Sequence, residues 1–580
     1  MRPRDRYIDL FRTYVGPQRR QVAVLGALLA LSIGLQLYGP QLLRSFIDGA
    51  VAGAAVDSLV RIALVFVGVA LVQQLAAAVA TYIGESISWS ATNALRADLA
   101  LHCLYLDLAF HKARTPGELI ERIDGDVTAL AGFFSRFAVN VLGSLVLLVG
   151  VLVVVTVEDW RAGVALSAFG LVAIGLLLGP LRTIAVGRWR RVREVSAQMY
   201  GFLSERLGGT EDIRSSGAET HILNGLALHH REWLAARRGA MLGTSTLWAS
   251  TILTFAVGNA VAFAVGGYLW TIGAITVGTV YLLFYYTELL RRPIESLRRE
   301  MEDIQRAIAS LGRVDQLLRT ASALVGGRET LPDGPVAVEL DAVSFGYESE
   351  LVLHDVSLRI GPGRVLGVLG RTGSGKTTLA RLLLRFYDPT TGVVRIGGVD
   401  LRDASLPAVR ARATLVSQDV QLFRASVRDN LTFFDDTIDD ARLEAVVERI
   451  GLGRWLRAQS PTDPLGAEMT AGSLSAGEAQ LLAFARAFLR DPGLIVLDEA
   501  SSRLDPVTER HVELAIDALL ADRTAIVIAH RLATVERCDE ILILEEGRVV
   551  EHGPRTVLAA DPASRFSELL RSGLEPVLST

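Results

Sequence analysis

Cysteine and lysine are both scarce in this 580-residue sequence. The two cysteines, Cys103 and Cys538, lie in different halves of the chain, which excludes a disulfide framework and any multi-cysteine zinc or iron–sulfur site. Of the 59 basic residues, only Lys112 and Lys376 are lysine. Because arginine is used almost everywhere else, these two positions indicate places where lysine has a particular task.

Charge is also scarce, since only 21% of the residues are charged while 50% are hydrophobic. The net charge is −4 and the mean hydropathy is +0.36. This composition excludes a disordered chain, and the absence of a basic excess argues against nucleic acid as a partner. The apolar content predicts a membrane protein.

Long runs without charge locate the membrane half. They cover residues 21–43, 62–84, 137–157 and 162–181, and residues 239–287 form one longer run with a break near 271–274. A helix needs about 20 residues to cross the hydrocarbon core. The sequence therefore predicts six spans, near 21–43, 62–84, 137–157, 162–181, 247–270 and 274–290. Polar residues are few inside these runs: Gln36, Gln73, Gln74, Asn140, Thr254 and Asn259.

The flanks of the runs predict the orientation. Six arginines precede or enter the first run (Arg2, Arg4, Arg6, Arg12, Arg19 and Arg20), which favours a cytoplasmic N-terminus in the cell (inner or plasma) membrane. Residues 1–20 are amphipathic and are predicted to form a helix lying in the membrane interface. The long basic connections 85–136 and 182–238 are predicted to be cytoplasmic extensions of the spanning helices.

The pattern changes after residue 319. Residues 320–335 carry glycine and proline turn signals and are predicted to be a linker. Continuous apolar runs at 365–369, 494–497 and 525–529 are typical of strands buried on both faces of a sheet. The predicted fold class is a polytopic α-helical membrane domain at 21–319, with six transmembrane helices and cytoplasmic extensions, followed by a C-terminal α/β ATPase domain at 336–580.

A phosphate-binding loop follows the first of these strands, between it and a helical run. Its residues are Gly370, Arg371, Thr372, Gly373, Ser374, Gly375, Lys376, Thr377 and Thr378. Glycines let backbone N–H groups turn toward phosphate oxygens, and the helix N-terminus adds its dipole. Lys376 is predicted to reach the β- and γ-phosphates, and the Thr377 hydroxyl to hold Mg²⁺.

An acidic pair, Asp498-Glu499, ends the buried run at 494–497. Asp498 is suited to a Mg²⁺-bound water, and Glu499 to polarising the water that attacks the γ-phosphate. With the phosphate-binding loop, this pair predicts an ATP hydrolase that uses ATP and Mg²⁺.

The segment Leu474-Ser475-Ala476-Gly477-Glu478 resembles the LSGGQ signature of ABC transporters, and the whole chain resembles an exporter-type half-transporter of the bacterial multidrug or lipid kind. The resemblance implies that Tyr347 stacks on adenine. It implies that Gln418 contacts Mg²⁺ and takes part in catalysis, and that His530 orients Glu499. It also implies that Ser475, Gly477 and Asp505 contact, in trans, the nucleotide held by a second half-transporter.

The resemblance further implies export of amphipathic compounds, such as drugs, lipids or peptides, by alternating access. Import through the same fold, as in siderophore uptake, and a regulatory or gating subunit stay open as alternatives. Residues 116–122 resemble the first coupling region between the membrane and ATPase domains, and residues 210–214 lie near the second.

The signature departs from the family pattern at two positions. Ala476 replaces a glycine and Glu478 replaces a glutamine. A Cβ crowds the backbone approach and a carboxylate repels phosphate, so both changes predict a weakened trans site. One weak and one strong site suit a heterodimer, which we expect in preference to a homodimer.

Overall fold

The structure is a computed structural model that describes residues 9–10, 12–178, 180–347, 350–417, 419–460, 462–470, 474–498, 506–529 and 532–572. The chain divides into two compact units. One contains Met1–Leu104 and Pro116–Thr320, and the other contains Tyr105–Thr115 and Ala321–Thr580. The first is called the helical unit below, and the second the sheet unit.

The described secondary structure of the helical unit is entirely helical. A 3₁₀ turn at Gly16–Gln18 precedes Arg19–Val51, and then follow Val56–Tyr105, Pro116–Ile120, Val127–Arg136, Gly143–Glu158, Trp160–Leu178, Pro180–Gly208, Thr210–Ser215, Glu219–Thr271, Val277–Leu289 and Arg291–Arg319. Two wide π-type turns, Glu121–Asp126 and Phe137–Leu142, join neighbouring helices.

Among the described residues, four helices are long and apolar enough to cross a membrane: Gly16–Val51, Val56–Tyr105, Asn140–Glu158 and Glu219–Thr271. Each of the six predicted spans falls largely on helix, but Trp160–Leu178 has 19 residues and Val277–Leu289 has 13. A helical membrane domain is thus confirmed, and the number of six spans stays a prediction. The helices Val56–Tyr105 and Glu219–Thr271, with 50 and 53 residues, run far beyond the predicted spans.

Polar contacts hold the ends of the apolar helices together. The Asp48 carboxylate accepts hydrogen bonds from the Thr276 hydroxyl at 2.7 Å and from the Gly278 N–H at 2.8 Å. A Cβ at Gly278 would lie 2.7 Å from the Arg44 carbonyl oxygen, so only glycine fits there. Arg44 in turn donates to Glu158 at 2.5 Å. The ends of three apolar helices are therefore tied by ion pairs and hydrogen bonds, because apolar side chains alone do not fix helix register.

The sheet unit contains twelve strands among its described residues. They are β1 (Val338–Gly346), β2 (Leu351–Ile360), β3 (Val365–Leu369), β4 (Thr391–Ile396), β5 (Val399–Asp400), β6 (Ala413–Val416), β7 (Ala425–Ser426), β8 (Glu468–Met469), β9 (Leu494–Asp498), β10 (Thr524–Ile528), β11 (Glu540–Glu545) and β12 (Arg548–Pro554). A six-stranded sheet has the order β12-β11-β3-β10-β9-β6, and a four-stranded antiparallel sheet has the order β2-β1-β4-β5. In the larger sheet, β11, β3, β10, β9 and β6 are parallel.

The described helices of the sheet unit are Leu108–Lys112, Lys376–Leu383, Leu406–Arg412, Val427–Thr432, Asp440–Arg449, Gly453–Gln459, Ala476–Arg490, Pro506–Leu520, Leu532–Val535, Arg555–Ala560 and Arg565–Ser572. Alternate residues of β3 face two different cores. Leu366 and Val368 pack in the core shared with the antiparallel sheet, whereas Val365 and Leu369 pack in the core shared with helix Ala476–Arg490. Burial on both faces explains why β3, β9 and β10 appear in the sequence as uninterrupted apolar runs.

The predicted linker packs on the sheet unit. The buried Arg385 guanidinium donates to the carbonyl oxygens of Val325 at 2.7 Å and Ala404 at 2.9 Å. The Gly327 N–H donates to the Ala404 carbonyl at 3.1 Å. Residues after 320 are therefore held by backbone hydrogen bonds that their glycine and proline content did not predict.

A buried arginine fastens helix Ala476–Arg490 to the segment that follows β6. Arg486 is 8% exposed, and its guanidinium donates to the Asn430 carbonyl at 2.7 Å and twice to the Gln421 carbonyl at 3.1 Å. Burial, and to a lesser extent the charge of Arg490, lowers the pKa of Arg486 to about 10. Arg486 therefore stays charged at neutral pH, and its charge is compensated by carbonyl dipoles.

Replacing Arg486→Leu is expected to destabilise the sheet unit by about 2–4 kcal/mol, because two buried carbonyls lose their donor. For a domain of this size, that corresponds to a fall of roughly 5–10 °C in the apparent unfolding temperature, measured on the purified full-length protein. The control is Arg490→Leu on the same helix, where the side chain is exposed. Equal losses in both variants would contradict this role for Arg486.

Candidate functional site

The phosphate-binding loop joins β3 to helix Lys376–Leu383. Gly375 precedes the helix with φ +101°, a left-handed conformation that favours glycine. A Cβ at this position would lie 2.6 Å from the Leu353 side chain, and a Cβ at Gly370 would lie 2.2 Å from the Leu544 carbonyl oxygen. Protein atoms therefore pack closely against the loop at these two glycines. Because glycine has no Cβ, the loop backbone can bend around a ligand there.

Lys376 lies over this loop. Its ammonium donates to the carbonyl oxygens of Gly370 at 2.6 Å and Arg371 at 2.9 Å, and the residue is 7% exposed. The Ser374 hydroxyl beside it is buried without a hydrogen-bond partner in the described part of the chain. A buried ammonium and an unsatisfied hydroxyl within one loop at a helix N-terminus fit a polyphosphate ligand.

Thr377 and Asp498 meet at the carboxyl edge of the parallel sheet. The Thr377 Oγ1 lies 3.5 Å from the Asp498 Oδ2, although 121 residues separate them in sequence. A hydroxyl and a carboxylate fit Mg²⁺, which binds few protein oxygens and completes its octahedron with water and phosphate. The described residues contain no cluster of three or more His, Cys, Asp and Glu side chains that could hold a metal by themselves.

Four predicted site residues, Gln418, Glu499, Asp505 and His530, lie outside the described residues. Three of them follow the carboxyl ends of parallel strands: β6 ends at Val416, β9 at Asp498 and β10 at Ile528. The carboxyl ends of parallel strands meet at one edge of a sheet, where ligands bind in open α/β folds. The roles of these residues stay predictions from the sequence.

Tyr347 stands beside the same loop. Its hydroxyl hydrogen-bonds with the Thr378 hydroxyl at 3.1 Å and accepts from Arg381 at 2.8 Å. Its ring contacts Phe345 and Tyr387 edge-on, with centroids 5.1 and 5.2 Å away, and 37% of the residue is exposed. An aromatic ring that is held at its edge and is partly exposed suits stacking on a flat base.

Sequence reasoning missed a neighbour of Tyr347. The Lys112 ammonium lies 4.3 Å from the Tyr347 ring centroid, a cation–π contact. Lys112 ends helix Leu108–Lys112, which belongs to the sheet unit although the surrounding chain belongs to the helical unit. The rarity of lysine marked this residue in the sequence, but nothing in the sequence placed it near Tyr347.

Helix Leu108–Lys112 is thus part of the sheet unit, whereas Pro116–Ile120, which lies in the segment that resembles the first coupling region, belongs to the helical unit. Asp107 caps helix Leu108–Lys112 by accepting from the Phe110 N–H at 2.9 Å, and it also accepts from the Ala323 N–H at 2.6 Å. Burial disfavours the Asp107 carboxylate, but hydrogen bonds from Phe110, Ala323 and Ser322 outweigh that effect and lower its pKa.

The signature segment caps helix Ala476–Arg490. The Ser475 hydroxyl accepts from the Glu478 N–H at 3.3 Å, and the Glu478 carboxylate accepts from the Ser475 N–H at 2.8 Å. Ser475 and Ala476 are exposed, whereas Gly477 is buried. Glu478 thus satisfies the helix N-terminus with its own negative charge, at the place where the family pattern implies a contact with phosphate.

The fold and the site define a membrane protein that carries a nucleotide-binding ATPase domain. Comparison with known families makes this specific. Residues 22–294 match the ABC transporter transmembrane region, and residues 353–502 match the ABC transporter domain.

Similar proteins span the whole chain. YgaD of Bacillus subtilis (strain 168), which carries the name of a candidate multidrug export ATP-binding/permease protein, is 32% identical over 96% of this chain and 98% of its own. The ATP-dependent lipid A-core flippase of Escherichia coli (strain K12) is 27% identical over 93% of each chain. A bacterial Atm1-family ABC exporter solved with ATP bound superposes with a TM-score of 0.80 at 25% identity, covering 96% of this chain and 98% of that one.

The chain therefore belongs to the ABC transporters and is an exporter-type half-transporter with fused membrane and ATPase domains. The predicted family and fold class are confirmed, and the importer alternative is not favoured. ABC ATPase domains bind ATP, and exporter half-transporters of this family act as dimers in a membrane.

The packing behind Gly375 yields a prediction. Gly375→Ala is expected to lower the affinity for ATP about tenfold or more, because the new Cβ strains the backbone and forces the loop away from Leu353. The measurement is equilibrium binding of a fluorescent ATP analogue to the purified protein. Gly363→Ala is the matched control, since Gly363 is also left-handed (φ +71°) but has no atom within 4 Å of the added Cβ. Unchanged ATP affinity in Gly375→Ala would contradict the prediction.

Proposed function

We propose that this chain is one half of a dimeric pump in the inner or plasma membrane, with its N-terminus and ATPase domain in the cytoplasm, that uses ATP hydrolysis to export amphipathic compounds. The observation that carries the proposal is the meeting of Lys376, Thr377 and Asp498 at the carboxyl edge of the sheet, in a chain whose other half is apolar helix. The names of YgaD and the lipid A-core flippase support drug-like or lipid-like cargo.

The site residues have distinct tasks in this proposal. Loop residues 370–378 hold the phosphates through backbone N–H groups and the Lys376 ammonium, and Tyr347 stacks on adenine. Thr377, Asp498 and Gln418 hold Mg²⁺, which when bound neutralises charge on the β- and γ-phosphates. Glu499 accepts the proton of the attacking water, and His530 holds Glu499 and a γ-phosphate oxygen in position.

Alternating access follows from binding across the dimer. Ser475, Gly477 and Asp505 of one half contact the nucleotide bound by the other half, so two bound ATP molecules hold the ATPase domains together. Hydrolysis removes this link and the domains separate. When the ATPase domains are together, the membrane helices open to one side of the membrane, and when the domains are apart, they open to the other side. This alternation moves cargo in one direction.

Replacing Glu499→Gln tests the hydrolytic role. We expect ATP turnover to fall about hundredfold or more with ATP binding retained, because the amide cannot accept the proton. Turnover and ATP-dependent uptake of a fluorescent amphiphile are measured in inverted membrane vesicles, with the exposed Glu444→Gln as control. Near-normal turnover in Glu499→Gln would remove Glu499 from this role, and a wild-type protein without ATPase activity would favour a gating subunit instead.

The hydrogen bonds of the signature segment, residues 474–478, favour a heterodimer over a homodimer. Glu478 holds its carboxylate at the helix N-terminus through its bond to the Ser475 N–H, so the partner's γ-phosphate would approach a negative charge there. If the partner carries an unmodified signature, the ATP bound by Lys376 and Glu499 of this chain would occupy the stronger of the two nucleotide sites. The multidrug efflux protein of Mycobacterium tuberculosis matches 95% of this chain with only 46% of its own length, which leaves room for a second half in one chain.

Native mass spectrometry of the complex from its own membrane is expected to give a mixed mass, the sum of this chain and a different half-transporter. Restoring the signature with Ala476→Gly and Glu478→Gln should then raise ATP turnover several-fold, since glutamine keeps the cap without its charge. A mass of twice this chain would overturn the asymmetric arrangement, and Glu444→Gln again serves as the control for turnover.

A further inference from the structure

A cavity of about 430 Å³ lies among the apolar helices of the helical unit. Its polar lining includes Gln36, Gln73, Gln74, Glu288 and Arg292. Its apolar lining includes Leu35, Phe66, Val69 and Leu289. A volume of this size suits a small amphipathic molecule, since ligand pockets span about 300–1,000 Å³.

The cavity lies deep between the helix ends. The ends are marked by the turn between Val51 and Val56 and by the bond from the Gly278 N–H to Asp48. At about 1.5 Å per residue, Gln36, Gln73 and Glu288 lie about 15–26 Å along their helices from those ends. Hydrocarbon is about 30 Å thick, so this lining is at membrane depth.

Polar residues of the predicted spans converge on this cavity. Of the six polar residues found within the runs without charge, Gln36, Gln73 and Gln74 line it. A fourth, Asn259, donates from its amide nitrogen to the Glu288 carboxylate at 2.5 Å, and its own amide oxygen is buried without a partner in the described residues. Pro40 also lines the cavity and cannot donate to the Gln36 carbonyl, which leaves a backbone acceptor there.

Two opposite charges face the cavity without neutralising each other. Glu288 and Arg292 form no ion pair within 4.0 Å, and among the described residues the Glu288 carboxylate has Asn259 as its hydrogen-bond partner. The next pair along the chain behaves differently, since Arg291 donates to Glu295 at 3.2 Å. A charge inside a membrane span is costly and marks a candidate functional site, as for Glu288 within the predicted span 274–290, and Arg292 follows that span by two residues.

We propose that this cavity is the cargo site and that it takes a zwitterionic amphiphile, whose ammonium is bound by Glu288 and whose anionic group is bound by Arg292. The aliphatic part of the cargo packs on Leu35, Phe66, Val69 and Leu289. Because the two fixed charges lie one helical turn apart, a cargo with a single charge meets an attractive and a repulsive group together. This inference rests on the proposed export function and narrows its cargo.

The test measures equilibrium binding of four radiolabelled probes with twelve-carbon tails to the full-length complex in nanodiscs without nucleotide. Dodecylphosphocholine and N-dodecanoyl-lysine are zwitterions of the lipid and peptide type, dodecyltrimethylammonium is a cation, and dodecyl phosphate is an anion. We expect at least one zwitterion to bind about tenfold more tightly than either singly charged probe. The better zwitterion distinguishes a phospholipid-like cargo from a peptide-like one.

Two substitutions are expected to change the order of probe affinities, each in favour of a different singly charged probe. In Glu288→Gln the zwitterion should lose about tenfold in affinity and the anion should bind best, whereas in Arg292→Gln the cation should bind best. Arg291→Gln and Glu295→Gln are the matched controls, because these neighbours pair with each other and do not line the cavity. Both controls should keep the wild-type order.

Three results would overturn the inference: a wild-type protein that binds the cation as tightly as the zwitterions, a Glu288→Gln variant that loses affinity for all probes equally, or no probe binding at all. ATP-driven transport in vesicles is measured separately on the same preparations. Transport without selective binding would contradict the cargo site alone, and selective binding without transport would contradict the proposed export function alone.

Discussion

Hydrocarbon admits backbone only if its N–H and C=O groups are satisfied within the segment, and this constraint organises the membrane half of the chain. A helix whose backbone hydrogen bonds are satisfied within the hydrocarbon can also continue as a helix beyond the membrane into water. Helix Val56–Tyr105 has 50 residues, about 75 Å at about 1.5 Å per residue, which is more than twice the hydrocarbon thickness. Residues 105–115 follow this helix in the chain and belong to the sheet unit, in which Lys112 contacts the Tyr347 ring.

The parallel sheet sets a second constraint, on where nucleotide chemistry can occur. The strands β3, β6, β9 and β10 are buried on both faces, so their carboxyl ends are where polar side chains can leave the sheet. Thr377 and Asp498, 121 residues apart, come within 3.5 Å for this reason.

Several charges among the described residues are compensated by neighbouring protein groups. In the membrane half, Arg44–Glu158 and Arg291–Glu295 are neutralised within 3.5 Å, and in the sheet unit the Arg486 guanidinium is compensated by carbonyl oxygens. Against this background the separated Glu288 and Arg292, and the self-capping Glu478, stand out. Glu288 and Arg292 place charges where a bound molecule would complete their interactions, whereas Glu478 places a charge that a bound phosphate would meet.

The sequence by itself determined the fold class, the phosphate-binding loop, the buried strands and the signature with its departures. These follow from local patterns, since run length, glycine spacing and strand burial are written in neighbouring residues. Only the tertiary structure decided that Lys112 contacts the Tyr347 ring, that residues 105–115 belong with the sheet unit, and that Gln36, Gln73, Gln74 and Glu288 surround one cavity. Those contacts join residues that are far apart in the chain, and helix packing between apolar surfaces leaves no periodic signal of which polar residues will face each other.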